Sequence, residues 1–164
     1  MGKKYFFDNL KKFGDKTAII TENERKFSYF DLSQYIEKLL KIFNKKRNLV
    51  FLISNNSLEF IFSYYALLKA REIIFLIDNN LNISSMLKLI NIYKPDYIFD
   101  TQNKINNELL YYNIIKKIEK LRVFKTKKKI QTKFDVRLAQ LISTSGSTGS
   151  PKFVKHSYDN IFIN

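Results

Sequence analysis

A chain of 164 residues with 45% apolar and 15% aromatic content is sized for one globular domain, which at this length buries roughly 70% of its unfolded surface. The absence of cysteine excludes disulfides and thiolate metal sites, and with 4 glycines and 2 prolines there is little material for long disordered linkers. A net charge of +14 admits a nucleic acid or an anionic surface as partner, but Lys, Asn, Ile, Phe and Tyr share A/T-rich codons, so genomic bias accounts for the lysines without a basic binding face.

Near the start, Met1-Gly2-Lys3-Lys4-Tyr5-Phe6-Phe7-Asp8 breaks its apolar run too early for a signal peptide, and Phe6 stands where a myristoylation start wants Ser or Thr. No later stretch is long enough to span a bilayer, and the expectation is a soluble, cytoplasmic protein. Tyr5 to Phe13 reads as a short helix ended by Gly14, and Thr17–Thr21 with Arg25–Ser28 as a hairpin turning through Glu22-Asn23-Glu24. From Leu32 through Tyr35, Ile36, Leu39, Leu40 and Phe43 the apolar spacing is that of an amphipathic helix.

Leu49–Ile53 is a continuous apolar strand, as expected where both sheet faces are covered. Ser54-Asn55-Asn56-Ser57 offers caps for a helix from Leu58 to Ala70, apolar nearly all round. Ile73–Ile77 is a second buried strand, and Ile83 to Tyr93 a helix that stops before Pro95. Tyr97-Ile98-Phe99 is a third strand. Alternating strands and helices predict an α/β fold, a mostly parallel sheet flanked by helices on both faces.

Beyond it, Asn106 to Lys120 reads as helical, with Leu110, Ile114 and Ile118 on one face, and Leu121–Phe124 as a short strand. The Lys125–Lys129 run reads as a solvated loop, because it lacks the interleaved aromatics that single-strand nucleic-acid platforms use for stacking. No internal repeat is visible.

The chain's chemistry concentrates in Leu141-Ile142-Ser143-Thr144-Ser145-Gly146-Ser147-Thr148-Gly149-Ser150-Pro151-Lys152, which holds two of the 4 glycines. A buried strand, Leu138 to Ile142, runs into hydroxyls and glycines whose backbone N–H groups can converge on an anion. Ser143, Thr144, Ser145, Ser147 and Thr148 add hydroxyl donors, and Lys152 a mobile positive charge, so the fitting guest is a polyphosphate. A Walker A loop requires Gly-Lys-Ser/Thr opening a helix, whereas here Pro151 precedes the lysine and Phe153 follows it. A flexible Gly/Ser linker seldom follows a buried strand directly or closes on Pro-Lys.

Thr144 to Lys152 resembles the phosphate-loop signature of the adenylate-forming, AMP-producing ligases: acyl-CoA synthetases, adenylation domains of peptide synthetases and their relatives. Phe27-Ser28-Tyr29-Phe30-Asp31-Leu32 is similar to that family's early Ser/Thr-Tyr-x-x-Leu element. Leu67-Leu68-Lys69-Ala70 resembles its Leu-Lys-Ala-Gly-Ala segment, and Lys94-Pro95-Asp96-Tyr97-Ile98-Phe99 its Pro-then-strand element. Arg71 departs from a usual glycine, Leu76 and Asn79 from common prolines, Phe153 from the glycine after Pro-Lys, and Tyr158 from a frequent histidine. His156, the 1 histidine, stands two positions earlier and reads as solvent-facing or loosely packed.

The resemblance implies that residues 1–164 are the front part of the large N-terminal AMP-binding domain, with the C-terminal domain lying beyond it. It implies ATP and Mg2+ as cofactors, a carboxylic or amino acid as substrate, and CoA or a carrier-protein thiol as acceptor. Thr144, Ser145, Gly146, Ser147, Thr148, Gly149 and Lys152 are then the nucleotide-binding residues, with Lys152 also catalytic. The family's magnesium ligand comes later than Asn164. The alternatives are a catalytically incompetent truncated or split-gene module that needs the missing half, and a basic nucleic-acid-binding domain.

Overall fold

The computed structural model describes residues 5–44, 46–105, 109, 111–127, 134–144 and 152–163. Its first element is a 3-10 helix, Phe6–Phe13, ended by Gly14 at φ 52, a left-handed value that glycine adopts without strain. Strands β1 (Thr17–Ile20) and β2 (Lys26–Ser28) form the expected antiparallel hairpin. Helix α1 (Tyr29–Leu40) follows at once. Ser28 caps it by accepting from the Asp31 N–H at 3.1 Å, while the Asp31 carboxylate accepts from the Ser28 N–H at 2.8 Å.

The central unit alternates β3 (Leu49–Ser54), α2 (Leu58–Lys69), β4 (Ile73–Asp78), α3 (Ile83–Tyr93) and β5 (Tyr97–Asp100). Ser57 and Asn82 cap α2 and α3 through side-chain oxygens that accept from the N–H groups of Phe60 and Ser85. Lys94, at φ 45, ends α3 in the left-handed region, as the following Pro95 disfavours another helical residue. The chain continues as β6 (Tyr112–Ile118), β7 (Leu121–Thr126), β8 (Leu138–Thr144), β9 (Lys152–Ser157) and α4 (Tyr158–Ile163).

Strands β3 to β9 form a 7-stranded sheet ordered β6-β7-β5-β3-β4-β8-β9. Its centre, β5-β3-β4-β8, is parallel, and antiparallel strands flank it. Alternate residues divide between two cores. Val50, Leu52, Ile74, Tyr97 and Phe99 pack with α1, α2 and the N-terminal helix, whereas Phe51, Ile53, Phe75, Ile77 and Ile98 pack with Met86 and Ile90 of α3. Burying each such side chain contributes about 1.5–3 kcal/mol, so the central strands carry much of the stability. The expected α/β architecture is therefore present.

Two readings need correction. The stretch expected to be a helix from Asn106 to Lys120 contains strand β6 instead; residues 106–108 and 110 lie outside the described residues. Ile114 and Ile118 fit a helical face, but pairing of Ile114 with Phe124 and Ile118 with Leu121 decides for the strand, and a register shift between Ile114 and Lys116 sends the two side chains to opposite cores. The turn between β6 and β7 places Glu119 at φ 51 without the Gly or Asn that usually announces it. The lysine run expected to be a loop begins inside β7, where Lys125 pairs with Tyr97, while Lys128 and Lys129 lie outside the described residues.

Candidate phosphate-binding hairpin at the carboxyl edge of the sheet

Because β3, β4, β5 and β8 are parallel, their carboxyl ends share one edge of the sheet. The chain leaves β3 for α2 on one face and β4 for α3 on the other, so the adjacent ends of β3 and β4 form a topological switch point, where open α/β sheets accept ligands. This edge is polar. The Ser54 hydroxyl donates to the Ile77 carbonyl at 3.0 Å, the Thr101 hydroxyl lies 3.1 Å from the Ile53 carbonyl, and Lys104 Nζ reaches the Asn79 carbonyl.

Strand β8 delivers the chain to this same edge, and β9 returns from it. Their register pairs Gln140 with His156, Ile142 with Val154, Ser143 with Phe153 and Thr144 with Lys152. Of the expected nucleotide-binding residues, Thr144 and Lys152 are thus brought together as the closing pair of an antiparallel hairpin. Ser145, Gly146, Ser147, Thr148 and Gly149, which connect them, lie outside the described residues. β8 is inserted beside β4 because Leu138–Ile142 is apolar enough to be covered, and its Leu141 joins the α3-side core.

Phe153 settles among aromatic rings. Its centroid lies 4.6 Å from Phe75 and 5.6 Å from Tyr93, both edge-on. The side chain that departs from the resembled glycine pins β9 to the α3 side of the sheet.

His156 is half-buried and has a partner that sequence reading did not identify. The Gln140 amide nitrogen lies 3.2 Å from His156 Nδ1, and the Gln140 amide oxygen accepts from the Tyr64 hydroxyl at 2.7 Å. With the amide donating, the neutral imidazole carries its proton on Nε2. Burial is the main reason the Tyr64 hydroxyl is pushed up to about 12, so it stays a donor. The signal was available in the sequence: Gln140 interrupts an otherwise apolar strand.

Tyr158, which stands where the resembled family often has histidine, is buried and donates to the Glu72 carbonyl at 3.0 Å. Arg71 takes the place of the resembled glycine, and its φ of 60 is the conformation for which glycine is ordinarily used. Its guanidinium bonds Asp8 at 2.9 Å and lies over the rings of Tyr5, Phe7 and Tyr158 at 4.7, 5.0 and 5.1 Å. Among the described residues no group of 3 or more His, Asp or Glu side chains is placed to hold a metal ion. The resemblance puts the family's magnesium ligand later than Asn164, and no step is assigned to the ion. Nor is any helix among them long and apolar enough to cross a membrane.

A sheet with helices on both faces, whose parallel strands end together at one carboxyl edge, defines the class: an open α/β protein of the kind that accepts ligands at that edge. The chain belongs to the AMP-binding enzyme family, whose model matches residues 6–164. No curated protein sequence matches it. Among solved structures it is similar to the O-succinylbenzoate coenzyme A synthetase MenE of Bacillus subtilis, in complex with AMP, at TM-score 0.66 and 16% identity over 96% of this chain and 43% of that one. The N-terminal subdomain of NpsA from Klebsiella oxytoca gives TM-score 0.60 and 19% identity over 91% of this chain and 40% of that one. An artificially fused adenylation–PCP di-domain, NpsA-ThdA of Klebsiella oxytoca, gives 0.62 and 19% over 93% and 32%. The chain thus spans 43% or less of the length of these structures, and their fold is its fold.

Proposed function

We propose that this chain forms the front part of the large N-terminal domain of an ATP-dependent, AMP-forming ligase, and that its hairpin loop holds the β- and γ-phosphates of ATP. Family membership supports the reading, and the observation that carries it is the position of the Thr144–Lys152 pair, which closes the hydroxyl-rich loop at the ligand edge of a parallel sheet. In the proposed reaction a carboxylate oxygen attacks the α-phosphorus of ATP. The bond from that phosphorus to the bridging oxygen breaks, and pyrophosphate leaves with the charge. The loop hydroxyls, its backbone N–H groups and the Lys152 ammonium oppose that charge through charge-assisted hydrogen bonds. The acyl adenylate then passes its acyl group to a thiol, on CoA or on a carrier protein.

Because the chain spans 43% or less of its solved relatives, adenylation is assigned to the protein of which these residues form part, or to this chain paired with a second polypeptide supplying the remaining motifs. Positioning of the two substrates accounts for much of the rate in such reactions. Carboxylate-dependent exchange of labelled pyrophosphate into ATP tests the reading. Exchange that requires this chain and is lost with Lys152→Ala supports it; exchange indifferent to Lys152 overturns the assignment of the loop.

A further inference from the structure

Away from the hairpin, on the α1 and α2 side of the sheet, a cavity of about 200 Å³ opens between the β1–β2 hairpin, α1, the first turns of α2 and the β6–β7 turn. Phe27 and Phe62 form aromatic walls, with Tyr35 packed 4.8 Å from Phe62. Two carboxylates, Glu59 and Glu119, line it against one guanidinium, that of Arg25, which lies 5.3 Å over the Phe27 ring.

One of these groups is buried without the hydrogen bond that burial ordinarily demands, and a second is a largely buried carboxylate without a counter-ion. Tyr35 is 8% exposed and its hydroxyl has no hydrogen-bond partner. Glu59 is 7% exposed, and among the described residues no cation lies within ion-pair distance of it. A buried phenol left unsatisfied is costly, and a largely buried carboxylate without a counter-ion beside it is an anchor for positive charge, so a cavity bringing them together favours a guest that serves both. Burial, with the charges of Glu59 and Glu119, raises the Tyr35 hydroxyl above its ordinary range and keeps it a neutral hydrogen-bonding group.

The excess of carboxylate over guanidinium selects a cation. A calcium-like ion needs 6–8 oxygen ligands, which two carboxylates and a phenol between aromatic walls do not supply. Aromatic faces instead suit the alkyl part and the positive charge of an organic ammonium. A quaternary ammonium would leave Glu59 and Tyr35 without a donor, whereas a primary one carries three N–H groups. The volume equals about six or seven waters at bulk density, room for a short alkyl chain. We infer that this cavity binds a small organic cation bearing a primary ammonium, held by Glu59 and the Tyr35 hydroxyl with its alkyl portion against Phe27 and Phe62.

The site shares no residue with the proposed ATP grip, so its test is independent of that reading. Calorimetric titration of n-butylammonium into the full chain is expected to give saturable binding in the millimolar range or tighter. Glu59→Gln is expected to weaken it by about tenfold and Tyr35→Phe by about threefold. The neutral isostere n-butanol is expected not to bind, and Lys152→Ala to leave amine binding unchanged. Tyr35→Phe removes an unsatisfied buried hydroxyl and Glu59→Gln removes a charge that has no counter-ion beside it, so the variants are expected to melt no lower than the parent. Absence of saturable amine binding, equal affinity in Glu59→Gln, or equal binding of n-butanol would each overturn the inference.

Discussion

Thr144 and Lys152 are cross-strand partners, the last register pair of the β8–β9 hairpin before the loop that joins them. This places the lysine backbone at the mouth of the loop rather than within it. Lys152→Ala is therefore expected to leave the hairpin folded while weakening ATP binding by about 1.5–3 kcal/mol, the scale of a hydrogen bond to a charged group. Titration of ATP into both proteins measures it, and equal affinities remove Lys152 from the site.

Phe153, next along β9, serves packing. Truncation in Phe153→Ala opens space beside Phe75 and Tyr93 and is expected to cost about 2–4 kcal/mol of stability. ATP affinity measured on the folded variant should be unchanged; a variant as stable as the parent but altered in ATP affinity would place the ring at the nucleotide instead.

Asp100 is wholly buried at the end of β5. Its carboxylate accepts from the N–H groups of Gln102, Lys104 and Ile105 at 3.0–3.1 Å and from the Arg122 guanidinium at 2.7 Å, tying the loop after β5 to β7. Asp100→Ala leaves the arginine largely buried and unpaired, so a loss of about 3–5 kcal/mol is expected from urea denaturation. A loss below about 1 kcal/mol would show that the loop is held by other contacts.

Arg71 combines a left-handed backbone with an ion pair and three aromatic faces. Arg71→Gly loses the side-chain contacts but relieves the backbone, whereas Arg71→Ala loses the contacts and keeps the strain. The expected order of melting temperature is parent, then glycine, then alanine, the two variants differing by about 1 kcal/mol. An alanine variant melting above the glycine variant contradicts this account.

Glu72 sets a pH dependence. Burial raises its carboxyl from 4.5 to about 7, although both of its oxygens accept from Asn48. With the folded-state value above the unfolded one, the native state holds the proton more tightly. The associated stability is fully present below about pH 4.5 and is lost as pH rises through about 7, by at most about 1.4 kcal/mol per unit. Asp31 and Asp135 are shifted downward by hydrogen bonds from Ser28 and Arg137, so they act below this window. Glu72→Gln is expected to flatten the melting temperature between pH 5 and 7; an unchanged slope would assign it to other groups, Asp96 among them, whose carboxyl is also raised by burial.

Sequence by itself determined the elements whose cause is local. Continuous apolar runs at 49–53, 73–77 and 97–99 had to be covered on both faces, the 3.6-residue spacing of α1 and α3 had to bury one stripe, and Ser57 and Pro95 marked helix ends through their own backbone chemistry. The composition of Thr144 to Lys152 likewise pointed to phosphate, because hydroxyls, glycines and a lysine offer donors whatever surrounds them. What the tertiary structure alone decided depends on partners distant in the chain. β6 is a strand because β7 pairs with it, Arg71 tolerates its backbone because Asp8 and three rings hold its side chain, and Gln140 meets His156 only across the hairpin. The cavity of Tyr35 and Glu59 exists only where β2, α1, α2 and the β6–β7 turn converge, since burial is a property of the assembled fold.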